Sequence, residues 1–493
     1  MDTEAQQHSG HGMHARKADH TTRDRAWRIA VAAVLTVLLS AFYFVADRYG
    51  WVPGPLTIVP IGKTSTMLSG SVQSAKTIAG PADLGKPIDK NAANALIDAF
   101  AATPGVGGDF SVAIADANGQ FVASRNPDTP REPASTMKTL TALAVSSTLD
   151  MGSTFHTSTM LEPVSGGKAG EATLTLNSDG DMLLGAGQSD PHHINGRAGL
   201  ATLADQTVAK LRKRDISRIH LQYDDTLFGA VRSPANIASH NPGNSNYTSI
   251  ASMAVDGGRQ WKGEPHDIDE YTAYPEMSTT PAHDAAAVFS SLLSQRGIAV
   301  DGEAAAGQAT GKATRVATVG SATLAEVMAF TLRHSDNTLI EEFGRLTALK
   351  TGAANSPEGA TKAVKDQLGK MGVETANLNM ADCSGLSEGS ALEVKTLIGV
   401  QTHNLKAGPG AAAGEGLSVP GFVGTAKRRL EDPGANGLLR VKTGSLDAVT
   451  SMAGNVSRKN GGVLTFAVVV NRPQDYFAAR KAIDVFMSAL VGL

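Results

Sequence analysis

One cysteine, Cys383, stands among 493 residues, so no disulfide closes within the chain. That excludes the small secreted folds built on several bridges, though not export itself. Aromatic residues are scarce at 5%, and the formal net charge is only −3. Nearly balanced charge removes the broad basic surface that a nucleic-acid partner needs. Local basic clusters such as Lys210–Arg214 read as a solvated helix face. Long apolar runs are missing too, apart from one near the N-terminus. What the chain does have is 42% apolar residues, enough for a sizeable core, and 52 glycines. Its length admits two or three domains.

The single long apolar run is Ile29–Ala46, which carries no charge. It follows a polar stretch, 1–28, bearing Arg16, Lys17, Arg23, Arg25 and Arg28. About 20 apolar residues span a bilayer, so the run suffices with slight stretching. A cleaved leader usually has a shorter apolar part and an A-x-A-like site. Here Phe44 and Ala46 would hold the −3 and −1 positions, and Phe fits poorly. Residues 29–46 are therefore read as an uncleaved, single-pass transmembrane anchor. Basic flanks stay in the cytoplasm, so 1–28 reads as a cytoplasmic disordered tail and the bulk of the chain as facing the extracytoplasmic side of the cell membrane. His8, His11, His14 and His20 belong to that solvated tail rather than to a metal site. Residues 47–88, with five prolines from Pro53 to Pro87 among Gly, Ser and Thr, read as a linker or stalk.

Residues 89–102 have helical spacing, with Asp89 or Asn91 as N-cap. Asp109–Ala115 alternates like a strand, Asn118-Gly119 is a tight-turn signal, and Gln120–Ser124 returns. A helix follows from about Ser135, with Leu140, Leu143 and Ala144 on one face. Near the C-terminus, Leu438–Val441, Ala448–Val456 and Val463–Val470 read as strands, and Asp475 to about Val491 as a final helix. The hairpin and the three-strand meander are expected to share one antiparallel sheet, covered on one face by the first and last helices. Further helical stretches lie at about 281–296 and 322–350. Residues 155–275 hold short strand-like runs among Gly, Asp and Asn, and read as an inserted, mainly-β domain that divides a main domain of 89–154 and 276–493. No internal repeat is visible.

Three short patterns occur in order: Ser135-Thr136-Met137-Lys138 (S-x-x-K), Ser335-Asp336-Asn337 (S-D-N) and Lys442-Thr443-Gly444 (K-T-G). Each is weak alone, because decoys exist at Ser165–Lys168 (S-x-x-K), Ser124–Asn126 (S-x-N) and Lys350–Gly352 (K-T-G). Context separates them. The first turn of a helix puts Ser135 and Lys138 on one face, within hydrogen-bond reach. Ser165 is followed by two glycines, Ser124 ends a strand, and Lys350 ends a helix with Gly352 as C-cap. Lys442 lies on a strand, where alternation aims it and the Gly-Ser backbone at a cleft.

The chemistry needs these residue types. A serine hydroxyl is a poor nucleophile until a neighbour accepts its proton. Lys138 serves as that base if burial and a second cation, such as Lys442, lower its pKa. Ser335 relays a proton to a leaving amine, and Asn337 positions a peptide. Lys442 and Thr443 suit a substrate carboxylate. The backbone N–H groups of Ser135 and Ser445 suit an oxyanion. No His-Asp pair is required.

The ordered set matches the one described for penicillin-binding proteins and serine β-lactamases. The gap of 200 residues between Ser135 and Ser335 is far longer than in β-lactamases. With the stretch Leu324–Arg345, Ala381–Ser387 (usually D-x-S-G-L-S) and Tyr223–Gly229, it resembles the D-alanyl-D-alanine carboxypeptidase/endopeptidase family, the type-4 low-molecular-mass penicillin-binding proteins, over about 90–493. The resemblance implies an α+β fold with a five-stranded antiparallel sheet flanked by helices. It also implies an acyl-enzyme mechanism on peptidoglycan stem peptides, covalent inhibition by β-lactams, and no cofactor. Two other readings use the same fold. A β-lactamase would need a deacylating E-x-x-L-N carboxylate; Glu374–Asn379 comes close, but its Leu and Asn fall one residue too far, and it reads instead as a strand approaching the D-x-S-G-L-S turn. A non-catalytic cell-wall binding protein would not need an intact nucleophile, base and relay.

Overall fold

The structure, a computed structural model, describes residues 18–48, 84–163, 169–263, 267–270, 273–408, 410–430 and 432–493. It divides into two units, Met1–Gly80 and Pro81–Leu493. In the first, helix α1 (Ala18–Arg48) contains the apolar run 29–46. The part of the expected tail from 18 to 28 is thus helical, not irregular; once a helix is nucleated, each added residue gains a bond without a new nucleation cost. Among the described residues no helix is long and apolar enough to cross a membrane. The side chains of Phe44 and Ala46, inside the run, fall outside the described ones, as do the tail 1–17 and residues 49–83 of the linker.

The second unit begins with α2 (Lys90–Ala101), which Asp89 caps by accepting from the N–H groups of Asn91 and Ala92. Strands β1 (Phe110–Ala115) and β2 (Phe121–Arg125) follow, then α3 (Met137–Ser146), entered through a 3₁₀ turn, Ala134–Thr136. Next come β3 (Thr154–Pro163), β4 (Glu171–Ser178), β5 (Asp181–Leu184), α4 (Leu200–Arg212), β6 (Arg218–Asp224), β7 (Met253–Val255), α5 (Pro281–Gln295), β8 (Ala299–Val300), β9 (Ala305–Ala306) and β10 (Thr314–Thr323). The chain closes through α6 (Leu324–His334), α7 (Asn337–Thr351), α8 (Pro357–Lys370), α9 (Val394–Asn404), α10 (Ala411–Glu415), β11 (Leu439–Leu446), β12 (Val449–Ser457), β13 (Val463–Asn471) and α11 (Tyr476–Ala489).

Five strands form one sheet in the order β11-β12-β13-β1-β2, antiparallel throughout. Alternation sends Val112, Ile114, Met452, Phe466 and Val468 to one face, where they pack with Ile97 of α2 and Phe486 of α11. The opposite face carries Ala113, Ala115, Ala453 and Ala467, packed with Leu140 of α3 and Leu397 of α9. Small residues on that face let the helices lie close, and α3 brings Ser135 to the sheet's β11 edge.

The second sheet has the order β10-β3-β4-β6-β8, with β9 beside β6. It is mixed: β4 and β6 run parallel, joined by the crossover helix α4. It starts at the expected border of the insertion, but β8, β9 and β10 extend it to Thr323, past residue 275. The helical stretch expected at 322–350 is two helices. Ser335 turns left-handed (φ 57) as the C-cap of α6, and Asp336 caps α7 by accepting from Leu339 N–H. The Glu374–Asn379 stretch is a turn with one isolated bridge, Asn379 to Ala391, not a strand.

Candidate active site

Lys138 and Lys442, the two cations of the sequence patterns, are both fully buried. Lys138 Nζ lies 3.0 Å from Ser135 Oγ, 2.6 Å from Asn337 Oδ1 and 2.8 Å from Ser384 O. Those three acceptors match the three donors of an ammonium; a neutral amine keeps two of the bonds and turns its lone pair to the Ser135 hydroxyl. Lys442 Nζ donates to Ser335 Oγ at 3.0 Å and to Thr443 O at 2.8 Å. Asn337 donates its amide N–H to Asn246 O at 2.7 Å, which tethers the S-D-N turn to the insertion. Thr443 and Thr425 share a hydroxyl hydrogen bond of 2.7 Å. All three motifs therefore meet at one cleft of about 420 Å³, lined by Ser135, Ser335, Asn337, Thr443 and Ser445 among others.

Close backbone approaches hold the cluster together. A Cβ on Gly444 would collide with Ser451 Oγ, stand 2.8 Å from Pro133 O and 3.1 Å from Ser135 N. Only glycine lets β11 pass the nucleophile's turn so closely. Val441 exchanges both backbone hydrogen bonds with Ser418, on the side of β11 away from β12. Alternation then points the N–H and C=O of Thr443 and Ser445 to that same open edge. Ser445 N–H and Ser135 N–H thus border one cleft, as an oxyanion hole requires. Ala134, just before the nucleophile, has φ 49, and Ser335 has φ 57. Left-handed backbone at non-glycine residues costs about 1–3 kcal/mol each and persists only where the surroundings impose it.

Burial pushes the Lys138 ammonium down to about 8, against the raising influence of Asp382, Glu341 and Asp336. Lys442 is lowered further, first by burial and then by the charges of Lys138 and Arg429. Two cations buried this close disfavour one another's charge, so the titration belongs to the pair rather than to either lysine alone. Burial, rather than the neighbouring cation, is the main cause for Lys138.

Sequence patterns did not single out several cleft residues. Ser384 O, the third acceptor for Lys138, sits in a turn whose Asp382 carboxylate accepts from the N–H groups of Ser384, Gly385 and Ser387. Gly385 (φ +75) presses that turn onto Ala134 O. The motif resemblance marked this segment without a role. Asn246, Tyr274, His334, Thr425 and Arg429 also line the cleft; only His334, beside Ser335, adjoins a pattern. Among the decoys, Lys350 is exposed at the end of α7 with Gly352 left-handed behind it, Ser124 lies in β2, and Ser165–Lys168 lie outside the described residues.

The D-Ala-D-Ala carboxypeptidase 3 (S13) family matches residues 93–262 and 262–490. A carboxypeptidase of Mycobacterium tuberculosis is 30% identical over 94% of this chain and 97% of its own length. The carboxypeptidase DacB of Mycolicibacterium smegmatis is 30% identical over 73% and 75%. Penicillin-binding protein 4 of Haemophilus influenzae superposes with a TM-score of 0.65 at 20% identity, covering 81% of this chain and 99% of that one, and so shares the fold.

Proposed function

The chain belongs to the D-Ala-D-Ala carboxypeptidase 3 (S13) family, and we propose that it cleaves D-alanyl peptide bonds of peptidoglycan stem peptides through an acyl ester on Ser135. The observation that carries this reading is the 3.0 Å contact between Ser135 Oγ and the buried, pKa-lowered Lys138 Nζ. Ser135 Oγ attacks the carbonyl and Lys138 takes its proton. The C–N bond breaks, and the departing amine takes a proton from Ser335 Oγ, refilled from Lys442. In the second half, water attacks the ester and gives its proton back through Ser335 to Lys442, while Lys138 returns its own to Ser135. Protons balance over the cycle. A substrate carboxylate arriving at Thr443 and Thr425 favours the charged form of Lys442, and that nearby charge in turn favours the neutral, basic form of Lys138.

β-Lactams enter by the same attack. The Haemophilus influenzae protein has been seen complexed with a β-lactam, which supports this extension. Their leaving amine stays tethered, so release is slow without a carboxylate placed for water. Both β-lactamase behaviour and a purely binding role are tested together: pulse the protein with fluorescent penicillin, digest, and map the label. A stable adduct on Ser135, together with D-Ala release from a D-Ala-D-Ala peptide, is expected. An adduct lost within seconds over many turnovers would establish a β-lactamase instead.

We also propose that residues 29–46 anchor the protein in the membrane with residues beyond 47 outside. The uncharged apolar sequence 29–46 behind a basic flank supports it, while the described residues of α1 are by themselves not long and apolar enough to span. Protease added to wall-stripped cells should digest the catalytic unit; protection would reverse the orientation.

A further inference from the structure

Beyond Thr443 and Thr425, the cleft does not end. A second cavity of about 350 Å³ adjoins it, and Tyr274, His334, Thr425, Arg429 and Arg480 line both. Ser135 lines only the first. In the reading above, the leaving group's carboxylate sits at the Thr443–Thr425 hydroxyl pair, so the second cavity lies past the leaving group, on the side away from the acyl half.

Its wall is cationic. Arg333, Lys427, Arg428, Arg429 and Arg480 line it against one acid among the described residues, Glu270. Glu270 is already paired with Lys427 at 2.7 Å, and Arg429 with the buried Asp484 at 2.7 Å. Among the described residues, no carboxylate pairs with Arg333, Arg428 or Arg480. Arg333 Nε is buried and has no hydrogen-bond partner. The wall is also built rather than incidental: Thr425 N–H donates to Arg333 O at 3.0 Å, and a Cβ placed on Gly424 (φ +79) would collide with Ser418 Oγ and stand 3.1 Å from that carbonyl oxygen. A lone D-alanine ends at its own carboxylate, short of Arg333, Lys427 and Arg428, which line the second cavity alone.

Resting on the proposed peptidase reading, we infer that this basin receives a leaving group larger than D-alanine that carries further carboxylates: an anionic peptide strand released from a cross-link. The basin then favours a leaving strand that is a free acid over the same strand amidated. Three guanidinium groups without a carboxylate partner, on a partly water-excluded wall, suit carboxylates geometrically, because each presents a fork of donors.

The test uses the full chain and three substrates with one acyl half: a pentapeptide ending in D-Ala-D-Ala, a cross-linked stem-peptide dimer with free carboxylates on the leaving strand, and that dimer with the carboxylates beyond the scissile residue amidated. The free-acid dimer is expected to exceed the amidated one in kcat/KM by roughly three- to tenfold, as rim charge pairs of this kind deliver. That preference should shrink in about 0.5 M salt, where the Debye length falls to a few ångströms. Arg428→Glu, an exposed residue of the basin alone, should bring the two dimers to parity and leave D-Ala release and penicillin labelling within about twofold; Arg333→Gln should act in the same direction. Labelling of Ser135 without any dimer preference, or a preference unmoved in both variants, overturns the basin alone. Failure of the wild-type protein to label overturns the parent reading and this one with it.

Discussion

The two sheets of the second unit differ in kind. The five-stranded sheet is antiparallel, filled on both faces, and every hydrogen-bonded neighbour is joined by a short turn or by a single return across the chain's ends. The second sheet is mixed, takes strands from 154 to 323, and closes through a parallel β4–α4–β6 crossover. The chemistry sits with the first. Lys138 rises from its packed helix and Ser135 from the 3₁₀ turn that leads into it, and Lys442, Gly444 and Ser445 lie on its edge strand. The second layer supplies Asn246 O and part of the cleft wall. A rigid, doubly buried sheet fixes reacting atoms, whereas the layer beside it carries the loops that shape what enters.

The sharpest way to break this division is to disturb the base without moving the sheet. Lys138→Arg keeps the charge but cannot deprotonate, so acylation should fall by about 10²–10⁴-fold. Stopped-flow penicillin acylation measures it. An active Arg variant would mean that charge alone suffices. The wild-type profile should agree: kcat/KM rises as pH climbs through about 8, because the free base attacks and the ammonium does not. A flat profile from pH 6 to 9 would assign the base elsewhere.

A second break targets the edge strand. Gly444→Ala places a methyl against Ser451 Oγ and Pro133 O. Overpacking of this kind costs about 1–3 kcal/mol, and a displacement near 1 Å at the nucleophile costs roughly 10²-fold in rate. Acylation should drop well beyond the loss of stability read by denaturant midpoint. A glycine at the second sheet's periphery, such as Gly311 with open space about its Cβ, should tolerate alanine in both measurements.

The same contrast explains what was legible beforehand. The turn at Asn118-Gly119, the alternation of β1 and the apolar runs of β12 and β13 marked the first sheet, because it is buried on both faces. Local spacing also marked Ser135–Lys138. The break at Ser335 was hidden, because hydrophobic periodicity runs on from α6 into α7 and only a left-handed residue interrupts it. The parallel β4–β6 pairing was hidden for another reason: each strand reads as a local run, but the two pair across an intervening strand and the helix α4, with no turn signal to join them. Ser384 O reaches Lys138 through a carboxylate-held turn, and the cationic basin draws on residues from 270 to 480. Neither has a local pattern, since each exists only once the chain has folded.

The smallest expected effect lies at the seam between the two layers. Asp181 of β5 and Glu342 of α7 are both buried, and Asp181 Oδ2 and Glu342 Oε1 have no hydrogen-bond partner. Burial raises Asp181 to about 7, against the N–H of Leu183, and pushes Glu342 well up, with the Asp181 charge adding to it. The fold therefore prefers both carboxyls neutral. Below the ordinary carboxylate range near 4, folded and unfolded chains alike hold these protons, and the stabilisation is fully present. As pH rises from about 4 to 7 the unfolded chain releases protons that the folded one keeps, so stability falls; above the folded values the loss is complete. Each tenfold difference in proton affinity between the folded and unfolded chains corresponds to about 1.4 kcal/mol, which for a protein of this size is a few degrees of melting temperature. Thermal melts at pH 5 and pH 8 should show the decline, and Asp181→Asn, which stays neutral throughout, should flatten it. Because Ser135 and Lys138 belong to the other layer, penicillin acylation by Asp181→Asn at a fixed pH should match the wild type. A slope unchanged by the substitution would place the pH sensitivity outside this pair.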